Sequence, residues 1–305
     1  MSDQKPQIPF ESPVMPAALD EATQIQFRCH KGISCFNACC KQADVTLAPY
    51  DVIRLKDRLG MTTTDFLAKY TVPFEMDGDG LPGIKLKTTD EGTCLLLDGE
   101  EGCGVYSDRP TVCRYYPVAL LQIRKKEGVG TEQSYSLITE DHCKGHLEDR
   151  RLTIGDYRAE QGVAEYDDLN AEWYQLILKK KSAGPAVGKP PMASLRLFFL
   201  ASYDLDTFRR FVLSENFRKT YVLPDELYAE VAADDLALLR FSYRFLRQVL
   251  FGERSIEEVA NAWDKRMEER KDVWAAQVQA EVERRTQAED TKYQHCDDGP
   301  SCGDK

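Results

Sequence analysis

The sequence predicts an α+β protein, predominantly α, in which a cysteine-rich region with short helices and a small antiparallel sheet precedes an all-helical half. Three observations predict it. Eight of the ten cysteines lie in the first half of the 305 residues. Short apolar runs with strand character, "VALLQIR" from Val118 and "SYSLIT" from Ser134, stand among the later of those cysteines and are separated by the turn-like "KKEGVGT". From Thr153 onward the apolar residues recur at helical spacing.

In chain order, "TLAPYDVIRLKDRLG" predicts a helix over about 49–59. Pro49 suits its first turn, Val52, Ile53, Leu55 and Leu59 give it one apolar face, and Gly60 can end it. "TTTDFLAKYT" offers a hydroxyl cap and a second short helix. "MDGDGLPGIKLKT" reads as a turn followed by a strand with Ile84 and Leu86 on one face. The two later runs predict a hairpin. Thr153 and Gly162 bracket a helix, and helical spacing continues through Trp173, Leu176 and Ile177 until "SAGPAVGKPP", the best linker candidate, breaks it. Beyond it "MASLRLFFLASYDLDTFRRFVLSENFRKTYVLP" predicts two helices, and Pro224 opens a long one ending at Gly252. Ser255 and Glu258 match a capping box for a last helix, whose stripe of Ile256, Val259, Trp263, Met267, Trp274, Val278 and Val282 is expected to pack on its own domain.

Composition excludes some functions. With 40 Lys and Arg against 51 Asp and Glu the formal charge is −11, which opposes binding to nucleic acid or to an anionic membrane surface. The first residues carry no apolar core of a secretory signal, and no stretch has the eighteen or so apolar residues that span a bilayer. The expectation is a cytoplasmic protein without nucleic-acid partner or membrane span. No glycine-rich phosphate loop, zinc-protease helix or serine elbow is present. Asp167, Asp168 and "EMDGDG" read as solvated acids, because calcium loops need more ordered spacing.

The cysteines carry the chemistry. "FRCHKGISCFNACCKQ" places Cys29, Cys35, Cys39 and Cys40 within twelve residues; "GTCLLLDGEEGCGVYSDRPTVCRYYP" adds Cys94, Cys103 and Cys113, and "EDHCKGH" adds Cys143. In a reducing compartment such clustering points to metal or redox chemistry rather than a disulfide framework, and adjacent cysteines such as Cys39 and Cys40 rarely pair. Thiolates are soft ligands that suit zinc, iron–sulfur clusters or copper(I). Four sulfurs complete one site and eight allow two. Any one cysteine alone reads equally well as a buried core residue. His30, His142 and His146, flanked by charged residues, read as solvated or as partners of ligands rather than ligands. Arg109 and Arg114 are candidates to neutralise an anionic thiolate site and donate to sulfur; ion pairs with Asp108 or Glu101 are the alternative. Pro110 and Pro117 are expected to keep the neighbours of Cys113 out of helix. Cys296 and Cys302, beside His295, read as exposed thiols of the tail and stand outside the site.

These residues resemble a family. "CHKGISCFNACC", "LAPYDVIRLKDRLG", the "C-x-x-Y-x-x-R-P-x-x-C-R-x-x-P" element of Cys103, Tyr106, Arg109, Pro110, Cys113, Arg114 and Pro117, and "DHCKGH" are similar to the YkgJ-type cysteine-cluster (CxxCxxCC) family, whose domain is described as zinc- or iron-chelating. The likeness runs from about Phe27 to Gly145. The opening loop departs from the tightest family form, with five and three residues between cysteines where that form has two. The resemblance implies a metal held by the eight cysteines.

Four segments follow: an extended leader at 1–26, a metal-binding cysteine-cluster domain at 27–150, a helical domain at 151–290 and a disordered tail at 291–305. The expected function is metal binding, by an iron–sulfur cluster or zinc, with the helical half available to a protein partner. An all-cysteine supply larger than one zinc needs leans toward the cluster. The alternative is a metal-dependent enzyme such as a protein lysine N-methylase, since flagellin lysine methylases resemble this family, although no catalytic residue for that reaction can be named. A metal-free thiol switch lacks a C-x-x-C pair at a helix start.

Overall fold

The computed structural model describes residues 18–41, 43–76, 80–124, 131–182, 190–269, 271–272, 275–276, 278–280 and 282–283. The leader up to residue 17, the turn at 125–130, the linker at 183–189 and the tail from 291, with Cys296 and Cys302, lie outside the described residues. The protein is α+β and mostly helical, with its strands in small antiparallel pairs.

Two compact units are formed, one by the chain through Leu213 together with Pro224–Ile256, the other by Ser214–Leu223 with the chain from Glu257. In the first unit, β1 (Gln24–Gln26) leads into the cysteine loop, which closes in a 3-10 turn at Ala38–Cys40. Helix α1 (Pro49–Leu59) begins at its proline and ends where Gly60 takes φ +63°, a left-handed conformation that glycine adopts without a Cβ penalty. Ala48 precedes it and has no capping oxygen, so Asp51 reaches back and accepts from the Ala48 amide at 2.8 Å. Helix α2 (Thr63–Tyr70) is capped by Thr62, whose hydroxyl accepts from the Asp65 amide at 3.0 Å.

Strand β2 (Thr71–Met76) was not expected; it pairs with β3 (Leu81–Leu86), Thr71 opposite Leu86 and Met76 opposite Leu81. Pro73 disguises it. A proline is tolerated on an edge strand, and in a sheet of two strands both are edges. β4 (Leu97–Asp98) and β5 (Gly102–Cys103) make a minimal hairpin, and α3 (Thr111–Tyr115) follows. This short helix corrects the expectation that Pro110 and Pro117 exclude one around Cys113. Pro110 stands at the N-cap, so its restriction falls on Arg109, outside the helix, and Pro117 comes after the last turn, across a cis peptide bond from Tyr116.

The expected hairpin is β6 (Val118–Arg124) with β7 (Thr131–Leu137), Val118 opposite Leu137. β8 (Arg151–Thr153) returns to pair antiparallel with β1. Helix α4 (Ile154–Gln161) has the cap at Thr153 and the stop at Gly162 that the sequence predicts, and α5 (Ala164–Ser182), α6 (Met192–Ser202) and α7 (Leu205–Val212) follow. α8 (Glu215–Arg218) and β9 (Tyr221–Val222) belong to the second unit. The long helix expected between Pro224 and Gly252 is two: α9 (Asp225–Ala233) and α10 (Asp235–Phe251). Asp234 breaks it, taking φ −125° and accepting from the Ala237 amide at 2.6 Å; an aspartate that caps a new helix cannot also continue the old one.

In the second unit, β10 (Glu257–Glu258) pairs with β9, and α11 (Ala262–Glu269) begins later than expected. The capping box at Ser255 and Glu258 does not form, because the Ser255 hydroxyl donates instead to the Arg244 carbonyl at 2.9 Å and Glu258 is in a strand. Of the expected stripe, Ile256 is buried, whereas Met267, Val278 and Val282 are exposed.

The apolar core beneath the cysteines joins β1, α3 and α4 through Ile25, Phe27, Tyr115, Ile154 and Tyr157. α1 is fastened to α5 by Tyr50, whose amide donates to Asn170 Oδ1 at 3.0 Å and whose hydroxyl donates to Glu165 at 2.6 Å. The cysteine segment is thereby tied to the helices that follow it.

Candidate metal centre

The eight cysteines arrive on four backbone segments, and main-chain hydrogen bonds bring these together in two places. Beside β1, the Arg28 amide donates to the Gly145 carbonyl at 3.1 Å, which sets Cys29 against the Cys143 loop. Gly145 has to be glycine: a Cβ there would lie 2.5 Å from the Phe27 ring and 3.0 Å from the Arg28 carbonyl. The Lys144 amide donates to Cys35 Sγ at 3.2 Å, so Cys35 meets the same loop.

The second gathering lies on the far side of the 3-10 turn. Asn37 takes φ +66° at its start, a conformation asparagine tolerates better than most residues, and Cys39 and Cys40 follow on consecutive positions. The Cys94 amide donates to the Cys40 carbonyl at 2.8 Å, and the Cys94 carbonyl accepts from Leu97 at 3.1 Å. Leu97 is the strand partner of Cys103. Gly102, at φ +109°, makes that tight return and leaves room for Phe36, whose ring a Cβ would approach to 3.2 Å. Cys113 rides on α3, which Asp51 anchors by accepting from the Thr111 amide at 2.9 Å and the Thr111 hydroxyl at 2.7 Å.

Electrostatics links the two gatherings. All eight are free thiols; Cys29 and Cys39 are exposed and the other six half-buried. Burial pushes the Cys29 thiol up to about 11, with the charges of Cys39, Cys35 and Cys143 adding to it. Burial likewise raises Cys113, helped by Cys103, Cys94 and Asp51. The hydrogen bond between the adjacent thiols lowers Cys39 to about 7 and raises Cys40. The charge of Cys39 is felt at Cys29, Cys40, Cys94, Cys103 and Cys113. These sulfurs cannot all ionise without a compensating positive charge, and a thiophilic cation is the group that supplies it. Soft donors in a multiple of four, partly screened from solvent and free of disulfides, fit such a metal. Among the described residues no three His, Cys, Asp or Glu side chains form a closed set able to hold a metal ion.

Arg109 and Arg114 are buried, and their hydrogen bonds go mostly to main chain. Arg109 donates to the Tyr106 carbonyl at 2.6 Å and to the Gln161 side chain, with its guanidinium over the Tyr106 ring. Its charge favours the thiolates of Cys29 and Cys103. Arg114 donates to the carbonyls of Arg109 at 3.0 Å and Gln161 at 2.7 Å, to that of Ser107, and to the Tyr166 hydroxyl at 3.0 Å. The acids considered as their ion-pair partners are engaged elsewhere, Asp108 by Arg54 and Glu101 by Lys31. The histidines have other partners too: His30 faces Glu148 at 3.1 Å, His142 faces Glu140 at 3.5 Å, and His146 bonds the Ile138 carbonyl at 3.0 Å.

Residues 28–144 match the family model CxxCxxCC, described as "Putative zinc- or iron-chelating domain". This segment is similar to that family. It covers well under half of the chain, and its two ends coincide with the Arg28 and Lys144 contacts that close the outer gathering. No curated protein and no solved structure matches the chain.

Sequence reading missed Asp51 as a part of the site's frame. It is fully buried, it caps α1 and it fixes α3 at the same time. The available signal was its place three residues after Ala48, where an acid can close a helix start that alanine leaves open.

Proposed function

We propose that the CxxCxxCC domain holds thiolate-bound metal in two sets of four: an inner set of Cys40, Cys94, Cys103 and Cys113, and an outer set of Cys29, Cys35, Cys39 and Cys143. The observation that carries this reading is the pair of main-chain gatherings, one around the Cys40–Cys94 hydrogen bond and one around the Lys144–Cys35 contact. Cys39, whose thiol is hydrogen-bonded to that of Cys40, stands at the junction of the two and is assigned to the outer set to complete it. The outer set includes both exposed thiols, which suits exchange with a redox or ligand partner, while the inner set suits a closed structural role. Arg109 supplies positive charge next to both sets through Cys29 and Cys103. An iron–sulfur cluster is the metal group this all-thiolate supply favours; when bound it supplies one-electron chemistry. The four segments of the sequence reading, with the helices after Thr153 offered to a protein partner, belong to the same proposal.

The test is anaerobic purification followed by a visible spectrum and by iron, zinc and acid-labile sulfide analysis of one sample. Wild type is expected to carry two sites' worth of metal. Cys94→Ser and Cys35→Ser are each expected to lose one site and keep the other. Metal-free protein in every preparation overturns the reading. Loss of all metal in both single variants replaces the two sets with one shared site.

A further inference from the structure

The first unit contains a cavity of about 440 Å³, within the range that takes small-molecule ligands. Its walls are largely apolar, from Phe74, Ile84, Leu120, Trp173 and Ile177. Two polar atoms of residues that line it have no partner among the described residues. Tyr203 is fully buried, its ring packed 6.2 Å from that of Trp173, and its hydroxyl makes no hydrogen bond. Asp167 spends Oδ2 on the Tyr115 hydroxyl at 2.6 Å and on Arg158 at 2.8 Å, while its buried Oδ1 accepts nothing. An unsatisfied buried oxygen is costly, and native proteins keep few of them without a use. Asp167 Oδ1 can only accept and so lacks a donor, while the Tyr203 hydroxyl, which can donate or accept, lacks a partner of either kind. The charged side chains lining the cavity are Asp51, Asp167 and Lys181, two acids against one base.

We propose that this cavity binds a small amine with an apolar body, the nitrogen supplying the donor that Asp167 Oδ1 lacks and a partner for the Tyr203 hydroxyl. The apolar walls take the body, and the acceptor-only Asp167 Oδ1 favours a group with an N–H donor over an acid of the same size. Val112, which precedes Cys113, lines the cavity, and Phe74, Ile84 and Leu120 of the same 28–144 segment form part of its wall. The proposal does not depend on metal binding.

The test is isothermal titration of the purified full chain with n-octylamine and with trimethyloctylammonium, which keeps the charge and chain but has no N–H donor. Octylamine is expected to bind with one-to-one stoichiometry, at least about tenfold more tightly than the trimethyl compound, as befits one charged hydrogen bond. Tyr203→Phe is expected to weaken octylamine about tenfold while raising the melting temperature of the ligand-free protein, because an unpaired buried hydroxyl is removed without loss of shape. A merely structural tyrosine would not weaken the amine. No saturable binding, equal binding of the two probes, or unchanged affinity in Tyr203→Phe would each overturn the proposal.

Discussion

The helices α6, α7 and α10 and the segment 88–109 belong to the same compact unit but differ in how they are held. In the helices, Phe198, Phe208, Leu238 and Phe245 are fully buried, and the rings of Phe208 and Phe245 lie 5.6 Å apart. Each such side chain contributes about 1.5–3 kcal/mol of apolar burial. The segment 88–109 buries Leu96 and Val105 but leaves Leu95 and Tyr106 exposed, and its strands are two residues long. Apolar burial alone does not explain the order of that segment. On the proposed reading cross-linking does: buried arginine donors on one side and, on the other, the metal its cysteines are proposed to hold.

The comparison is broken most forcefully at Arg114. Its guanidinium holds three carbonyls, of Ser107, Arg109 and Gln161, and so joins the cysteine segment to α4. Arg114→Ala should cost about 3 kcal/mol or more, because buried acceptors lose their donors. Urea unfolding followed by far-UV circular dichroism measures it. Arg114→Lys should recover only part of the loss, since an ammonium cannot reproduce the planar fork.

A smaller and pH-dependent effect is expected at Asp51. Burial holds its carboxyl up at about 6 despite the hydrogen bonds from Thr111 and Ala48 that favour the charged form. The folded value lies above the ordinary carboxylate value, so this group's contribution to stability is complete below about pH 4 and is lost as pH rises through about 6. Asp51→Asn, which keeps one acceptor oxygen where the carboxylate has two and so leaves either the Ala48 amide or the Thr111 donors without one, should therefore cost about 2 kcal/mol near pH 4 and less at pH 7. Unfolding curves of both proteins at pH 4, 5, 6 and 7 give the difference. A constant difference across that range would remove Asp51 as a titrating brace.

Where local chemistry decides structure, the sequence was legible. Pro49 and Gly60 bound α1, Thr62 and Thr153 cap their helices, and the alternating runs after Val118 pair as a hairpin. Where an element is chosen by its surroundings, it was not. Pro73 concealed β2 because the number of strands in a sheet, and hence which are edges, is set by tertiary structure. Ser255 has a cap's sequence, yet Arg244 takes its hydroxyl. The eight cysteines proposed for the site are the ones that clustering in the sequence nominates. Their division into two gatherings could not be read there, since it depends on contacts such as Lys144 with Cys35 and Cys94 with Cys40, which join residues about fifty to a hundred positions apart. Asp167 reads in the sequence as a solvated acid but is largely buried and bonded to Tyr115 and Arg158, and Tyr203 gave no sign at all, because an unpartnered oxygen is a property of packing.

The most direct test of the central claim is amide hydrogen exchange, read by mass spectrometry, on the protein as purified anaerobically and after metal removal by a chelator. If thiolate-bound metal holds the cysteine segment, removal should abolish protection in 28–47 and 88–117 while α6 and α10 keep theirs. Unchanged protection in the cysteine segment, or an equal loss in α10, would contradict the claim that the two regions are held by different forces.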